Sequence, residues 1–306
     1  MTTWGLVSTI LAPTPEVLRF AAYHLEQGAH RLYIYLDAPN PETYAALKAH
    51  PKIRVQTCDA AWWEKRGGRP DQHQVRQSKN ASHAYRRKRE VDWLGHIDVD
   101  EFLVSDGPVS DALGAVPADI KTARVRPMEL LADGDGTAYK KFLPQGPGRA
   151  ELAQSLFPTF GQYLRAGFLS HASGKVFVRT GLPGVSLRIH KAFENGAEIP
   201  GATELTQVDL AHRHSQSWDS WLERYRYRLQ HGAYRAQLDP KRQGQPDTMS
   251  LHALLTYLEQ SQGQAGLRAF HNEVAADTPE LRERLNAHGL LKIVALELDK
   301  AVKKHF

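Results

Sequence analysis

At 306 residues the chain is long enough for one large domain or two ordinary ones, which excludes a small disulfide-stapled module. Hydrophobic residues make up 42% and charged residues 24%, so a substantial core is expected and wholesale disorder is excluded. The charge balance, 39 basic against 34 acidic residues for a net +5, suits anionic ligands without requiring them, and the single Cys58 excludes an internal disulfide or a thiolate metal cage.

No charged, apolar and small-residue succession marks a secretory leader, and no apolar run approaches the roughly 18 to 20 residues of a membrane span. A cytoplasmic protein is expected, with membrane contact at most peripheral.

In chain order, Trp4 to Leu11 is a short apolar run that reads as a buried strand, interrupted by Pro13 and Pro15. A helix follows, with Thr14 as its cap, Pro15 in its first turn, Val17, Leu18, Ala21, Ala22 and Leu25 at helical spacing, and Gly28 as its stop. Arg31 to Leu36 is β-prone and ends at Asp37. A short helix over 42–49 and a strand over Ile53 to Cys58 complete a β-α-β-α-β opening. Strands joined in this way pair in parallel and bind ligands beyond their carboxyl ends, where Asp37 falls.

A polar, basic helix is predicted over 72–92, and a strand over Trp93 to Leu103 with an acidic cluster inside it. The stretch from Asp133 to Gly148 reads as a long loop. Strands are predicted at Lys175 to Thr180, Val185 to Ala192 and Glu204 to Ala211. From Ser217 onward the pattern is helical: Trp218, Trp221, Leu222, Tyr225 and Leu229 before Gly232, then Leu251, Leu254, Leu255 and Leu258, a helix started by Thr278 and Pro279, and a last one over Leu291 to Lys304. The division expected is an α/β domain over 1–216 and a helical C-terminal region over 217–306.

The residues richest in chemistry are His96-Ile97-Asp98-Val99-Asp100-Glu101-Phe102. If they continue a strand, Asp98 and Asp100 share a face and repel, and a hard divalent cation such as Mg2+ or Mn2+ resolves the conflict. A solvated strand end or a turn cap is the plainer alternative.

The strand Asp92 to Leu103, with its Asp-x-Asp triplet, resembles that of family 2-like glycosyltransferases with the GT-A fold. The order of further residues agrees: Glu16, the Tyr23-His24 pair and Gly28; Tyr33 to Asp37; Gln77 and Asn80; Gly174-Lys175, Arg179 and His190; then His212 and Ser217. The likeness spans roughly residues 4 to 230. It departs from the family at Pro15, at Arg213, and at Met128 to Gly136, which stands where an aromatic-glycine motif is usual.

The resemblance implies a Rossmann-like mixed sheet flanked by helices, and transfer of a sugar from a nucleotide-sugar, expected to be UDP-linked, to a hydroxyl of a carbohydrate or glycolipid, with inversion. Surface or extracellular polysaccharide synthesis is the family's usual work. On this reading Asp98, Asp100 and His212 hold Mn2+ or Mg2+, and Asp37, Gln77, Asn80 and Lys175 line the donor site. Inverting transfer also needs a base to take the acceptor's proton, which the sequence does not single out: Glu101, Glu129, Asp133 and Asp135 are candidates by type, and Glu129 follows a predicted strand end.

Two rival classes stay open. Arg86 to Arg89, and Arg224 to Arg228 with its interleaved tyrosines, suit nucleic acid, although arginines on helices usually form a solvated face beside core aromatics. The same carboxylates also suit a metal-dependent hydrolase or a silent metal-stabilised scaffold, although the common hydrolase and phosphate-loop motifs are absent from the sequence.

Overall fold

A computed structural model describes residues 1–170, 172–231 and 249–306. The helix stop expected at Gly232 lies outside the described residues. In chain order the elements are β1 (Trp4–Ile10), α1 (Thr14–Glu26), β2 (Arg31–Leu36), α2 (Pro41–Ala49), β3 (Ile53–Thr57), α3 (Ala60–Glu64), α4 (His73–Arg86), β4 (Trp93–His96), β5 (Glu101–Ser105), α5 (Val109–Gly114) and β6 (Thr122–Leu130). They continue with β7 (Ala138–Lys141), α6 (Arg149–Leu156), β8 (Lys175–Arg179), β9 (Val185–Leu187), β10 (Ala192–Glu194), β11 (Ala197–Glu198), β12 (Thr203–His212), α7 (Trp218–His231), α8 (Leu251–Val274), α9 (Pro279–Ala287), β13 (Leu291–Ile293) and α10 (Leu298–His305).

The chain forms two compact units. The first comprises Met1–Pro127, Ser173–His212 and Leu296–Phe306, and the second Met128–Ala172 and Arg213–Ala295. These do not follow the boundary expected at 216/217, because 128–172 joins the later helices and α10 returns to the first unit.

The first unit is a mixed α/β sheet flanked by helices. Its parallel centre runs β4–β1–β2–β3, as the β-α-β-α-β pattern requires. β8 lies antiparallel to β4, the first half of β6 antiparallel to β8, and β12 antiparallel to β5. Every residue of β1 is buried, which explains an apolar run without alternation. α1 ends at Gly28 in the left-handed region, φ 89°. Thr14 does not cap α1: Pro13 holds that position without a side-chain cap, and the Thr14 hydroxyl accepts from Thr43 Oγ1 at 2.9 Å.

The Tyr23-His24 pair packs α1 against β5. The Tyr23 hydroxyl donates to the Leu103 carbonyl at 2.8 Å, and the buried His24 ring stacks on Phe102 with an interplanar angle of 4°. Burial pushes the His24 imidazole down to about 4, so it is neutral at physiological pH.

In the second unit, β7 pairs with the C-terminal end of β6 and with β13. Trp221 and Tyr225 of α7, Leu255, Leu267 and Phe270 of α8, and Leu156 of α6 share one apolar core. Tyr225 is buried with its hydroxyl on Glu259 at 2.8 Å, while Arg224 and Arg226 are exposed. The aromatic-cationic stripe of α7 therefore splits into a core face and a solvent face.

Several predicted elements change. The strand expected from Trp93 to Leu103 is two strands, β4 and β5, separated by a turn at Val99 and Asp100. The helix expected over 72–92 ends at Arg86, where Arg87 turns extended. The Asp133 to Gly148 loop contains β7, the Val185 to Ala192 strand divides into β9 and the start of β10, and the expected last helix opens as β13. These short strands are set by pairing partners, which local periodicity does not carry.

Candidate active site

The acidic turn that follows β4 lies beyond the carboxyl end of a strand paired in parallel with β1. Asp98 and Asp100 do not share a strand face, because the strand stops at His96. The repulsion expected between them is removed by this break and by Lys175. Lys175 Nζ lies 2.6 Å from Asp98 Oδ2 and 3.2 Å from Glu101 Oε2, and its side chain is fully buried. The turn closes on itself as well: Asp98 N donates to Glu101 Oε2 at 2.8 Å, and Glu101 N donates to the Asp98 carbonyl at 3.1 Å.

The electrostatics follow from this geometry. Desolvation by itself would raise the Asp98 carboxyl, but the Lys175 ammonium pulls it well below the ordinary carboxylate range. For Lys175, burial acts to lower the ammonium, and the two carboxylates outweigh it and raise it above the usual lysine value. His96, buried beside them, is pushed down to about 4, first by burial and then by Lys175.

Lys175 reaches this place because Gly174 precedes it. Gly174 has φ 69°, and a Cβ there would stand 2.1 Å from the Val125 carbonyl oxygen. The Gly-Lys pair is thus a strand-entry device that brings β8 against β6. At the far end of β8, the Arg179 guanidinium donates to the Ile120, Val116 and Pro117 carbonyls.

Gln77 and Asn80, one helical turn apart on α4, both point inward. Gln77 Nε2 donates to Asp98 Oδ1. Asn80 Nδ2 donates to Thr9 Oγ1 at 3.2 Å and lies 3.4 Å from Cys58 Sγ, so it ties the ends of β1 and β3 together. Both are buried, although the helix they stand on is polar.

His212 ends β12 opposite Glu101 of β5, and its Nε2 lies 3.6 Å from Asp100 Oδ2. Asp100 and His212 therefore meet, whereas Asp98 is held by Lys175. Among the described residues no group of three or more His, Cys, Asp and Glu side chains is gathered for a metal ion.

Asp37 stands at the end of β2 with its side chain fully buried and held by cations. Arg76 grips it through Nε at 3.0 Å and Nη2 at 2.9 Å, and Arg69 Nη2 lies 3.1 Å away. Burial would raise this carboxyl, but His73, Arg76 and Arg69 together hold it below its ordinary value. Beside it opens a pocket of about 680 Å3, lined by Asp37, Pro39, Cys58, Trp63 and Arg69 at the carboxyl ends of β2 and β3. That volume lies within the usual range for small-ligand sites. Burial pushes the Cys58 thiol up to about 12, which leaves it an apolar wall rather than a nucleophile.

Two of the candidate bases are internal. Glu101 has no exposed surface and is fixed by Lys175 and the Asp98 amide. Glu129, in the second unit, is buried against Lys140 at 3.2 Å and accepts from the Leu169 and Ser170 amides at 3.2 and 2.6 Å. In this arrangement both carboxylates are engaged by buried partners, Glu101 by Lys175 and Glu129 by Lys140. Sequence reasoning missed Arg69, His73 and Arg76. Their signal was the scatter of basic residues from the end of α3 into the first turn of α4, Arg69 before that helix and His73 and Arg76 within it.

No protein-family model and no curated protein matches the chain. Solved structures do. A mycobacterial protein of known crystal structure is 14% identical with a TM-score of 0.34, the match covering 62% of this chain and 58% of that one. HddC from Yersinia pseudotuberculosis is 12% identical with a TM-score of 0.38, over 73% of this chain and 97% of its own. The chain thus spans just over half the length of the mycobacterial protein it matches. Among the described residues no helix is long and apolar enough to cross a membrane.

Proposed function

We propose that the protein is a metal-dependent glycosyltransferase of GT-A type, acting on a nucleotide-sugar. The observation that carries this reading is the meeting of Asp100 and His212 at 3.6 Å, beside a lysine-clamped turn at the carboxyl edge of a parallel sheet. Two residues far apart in sequence, both implied as metal ligands by the family likeness, come together where α/β sheets bind phosphates.

An oxygen and an imidazole nitrogen fit Mn2+ or Mg2+ that completes its shell with diphosphate oxygens and water. Asp98, its Oδ2 on Lys175 and its Oδ1 on Gln77, would share its remaining lone pairs with such an ion. Bound there, such an ion would neutralise charge on the departing diphosphate. The protein's own groups do the rest. Lys175 and Gln77 keep the turn in one conformation, so Asp100 needs no reorganisation when the donor arrives. Asp37 holds Arg69 and Arg76 at the rim, with Arg69 facing the pocket, where a guanidinium suits a phosphate or a base edge. The apolar wall of Trp63, Pro39 and Cys58 suits a planar nucleobase.

The test is a donor screen with purified protein and Mn2+, following nucleotide release with and without carbohydrate acceptors, alongside calorimetric Mn2+ titration with and without UDP. Transfer and nucleotide-coupled metal binding are expected, both lost in Asp100→Asn. If that variant keeps sugar transfer and manganese uptake intact, the reading is wrong.

A further inference from the structure

A second cavity lies away from the acidic turn, in the first unit. It has a volume of about 440 Å3 and is lined by Tyr33, Tyr35, Tyr44, Lys48, Arg54 and Arg87, together with neighbouring residues at the start of β3. The register places Tyr33 opposite Arg54 and Tyr35 opposite Gln56, so these four side chains belong to one face of the sheet edge. Lys48 comes from α2 and Arg87 from just past α4.

No carboxylate lines this cavity. Glu90 lies close by but is already shared among Arg54 at 2.8 Å, Arg31 at 3.2 Å and the Tyr33 hydroxyl at 3.1 Å. Lys48 and Arg87 are exposed, and among the described residues neither forms an ion pair. Two uncompensated cations therefore converge on a tyrosine-walled space at a sheet edge. His83, whose Nδ1 is 2.7 Å from the Tyr35 hydroxyl, is pushed down to about 4, first by burial and then by Arg66, Arg87 and Arg86. His50, also in the lining, is lowered by burial and by His305 and Lys52.

We propose that this cavity is a binding site for a small phosphorylated ligand, its phosphoryl group held by Lys48 and Arg87 and its body set against Tyr44 and Tyr35. Guanidinium and ammonium groups are the ordinary partners of phosphate, and a cavity walled with tyrosine has room for more than the anion alone. This gives a role to part of the basic run after α4 without nucleic acid. The site is separate from the proposed donor site: it runs along β3 and shares no lining residue with the pocket of Asp37 and Cys58, which lie past the ends of β2 and β3.

The test is an amide NMR titration of the whole protein with inorganic phosphate and, in parallel, with glucose 1-phosphate. Shifts confined to residues 44–56 and Arg87 are expected with either probe. Tighter binding of the sugar phosphate would identify a phosphorylated carbohydrate as the ligand, and equal binding would identify free phosphate. Lys48→Ala and Arg87→Ala lie on the surface and should fold normally, each weakening binding about tenfold. The proposal is overturned by shifts confined to 97–101 and His212, by shifts near Arg54 that persist unchanged in the double variant, or by no shift at millimolar ligand. None of these results depends on whether Asp100 and His212 support transfer.

Discussion

Each compact unit buries a lysine against carboxylate, and the two lysines respond in opposite directions. Lys175 faces both Asp98 and Glu101, and its ammonium is raised above the ordinary value. Lys140 faces Glu129 at 3.2 Å and the Val274 carbonyl at 2.8 Å; burial is its largest influence and leaves it below the ordinary value. The same cation in the same kind of burial is thus secure with two carboxylates and marginal with one. The lesson is that an acidic cluster need not signal repulsion, because a buried lysine can require the second carboxylate.

Four predictions break or sharpen this contrast. The largest effect belongs to Lys175→Met, which strands Asp98 and Glu101 without their cation and should cost about 4 kcal/mol in urea unfolding. Lys140→Met removes a lysine whose burial is poorly offset and leaves Glu129 its two amide donors, so the same measurement should show only about 2 kcal/mol. Equal losses in the two variants would remove the distinction.

The pH dependence separates the two lysines further. Lys175, raised in the folded state, contributes stability that is present below the unfolded lysine value and is lost as pH rises through its own higher value. Lys140, lowered in the folded state, opposes folding below its own value, and that penalty is relieved as pH rises towards 10.5. Asp98 acts at the other end: its contribution is present above 3.8 and is lost as pH falls through its depressed value. In Asp98→Asn, Lys175 retains one carboxylate and should come to resemble Lys140. Its side-chain nitrogen resonance should then titrate lower than in the parent, with a stability loss of about 1 to 2 kcal/mol. The smallest effect is expected of Asp100→Asn, on a half-exposed turn position, at under about 1 kcal/mol by thermal denaturation. Its cost should fall on metal-coupled nucleotide binding.

Much of the first unit was legible from pattern alone. Val17 to Leu25 at helical spacing, Gly28 as a stop and three short apolar runs separated by helices force parallel pairing, because the crossovers leave no other route. Tyr23, His24, Gln77 and Asn80 were visible as a recurring order of residues, but not as what they are. The first two pack α1 on β5, Gln77 fixes the acidic turn, and Asn80 joins two strand ends. The second unit was less legible. β7 and β13 are short and neither is distinctively β-prone, and they exist because each finds a partner that lies far away in sequence.

What the sequence determined by itself is the β-α-β-α-β opening, the helical character of most of the later chain and the presence of an acidic triplet near a strand end. All of these follow from local periodicity, capping and turn chemistry. Only the tertiary structure decided that Asp98 belongs to Lys175 and that Asp100 belongs with His212. Only it showed that Asp37 serves two arginines and that Glu101 and Glu129 are internal. The physical reason is that a charge's role depends on which opposite charge and how much water surround it, and both are set by contacts between residues that lie far apart along the chain.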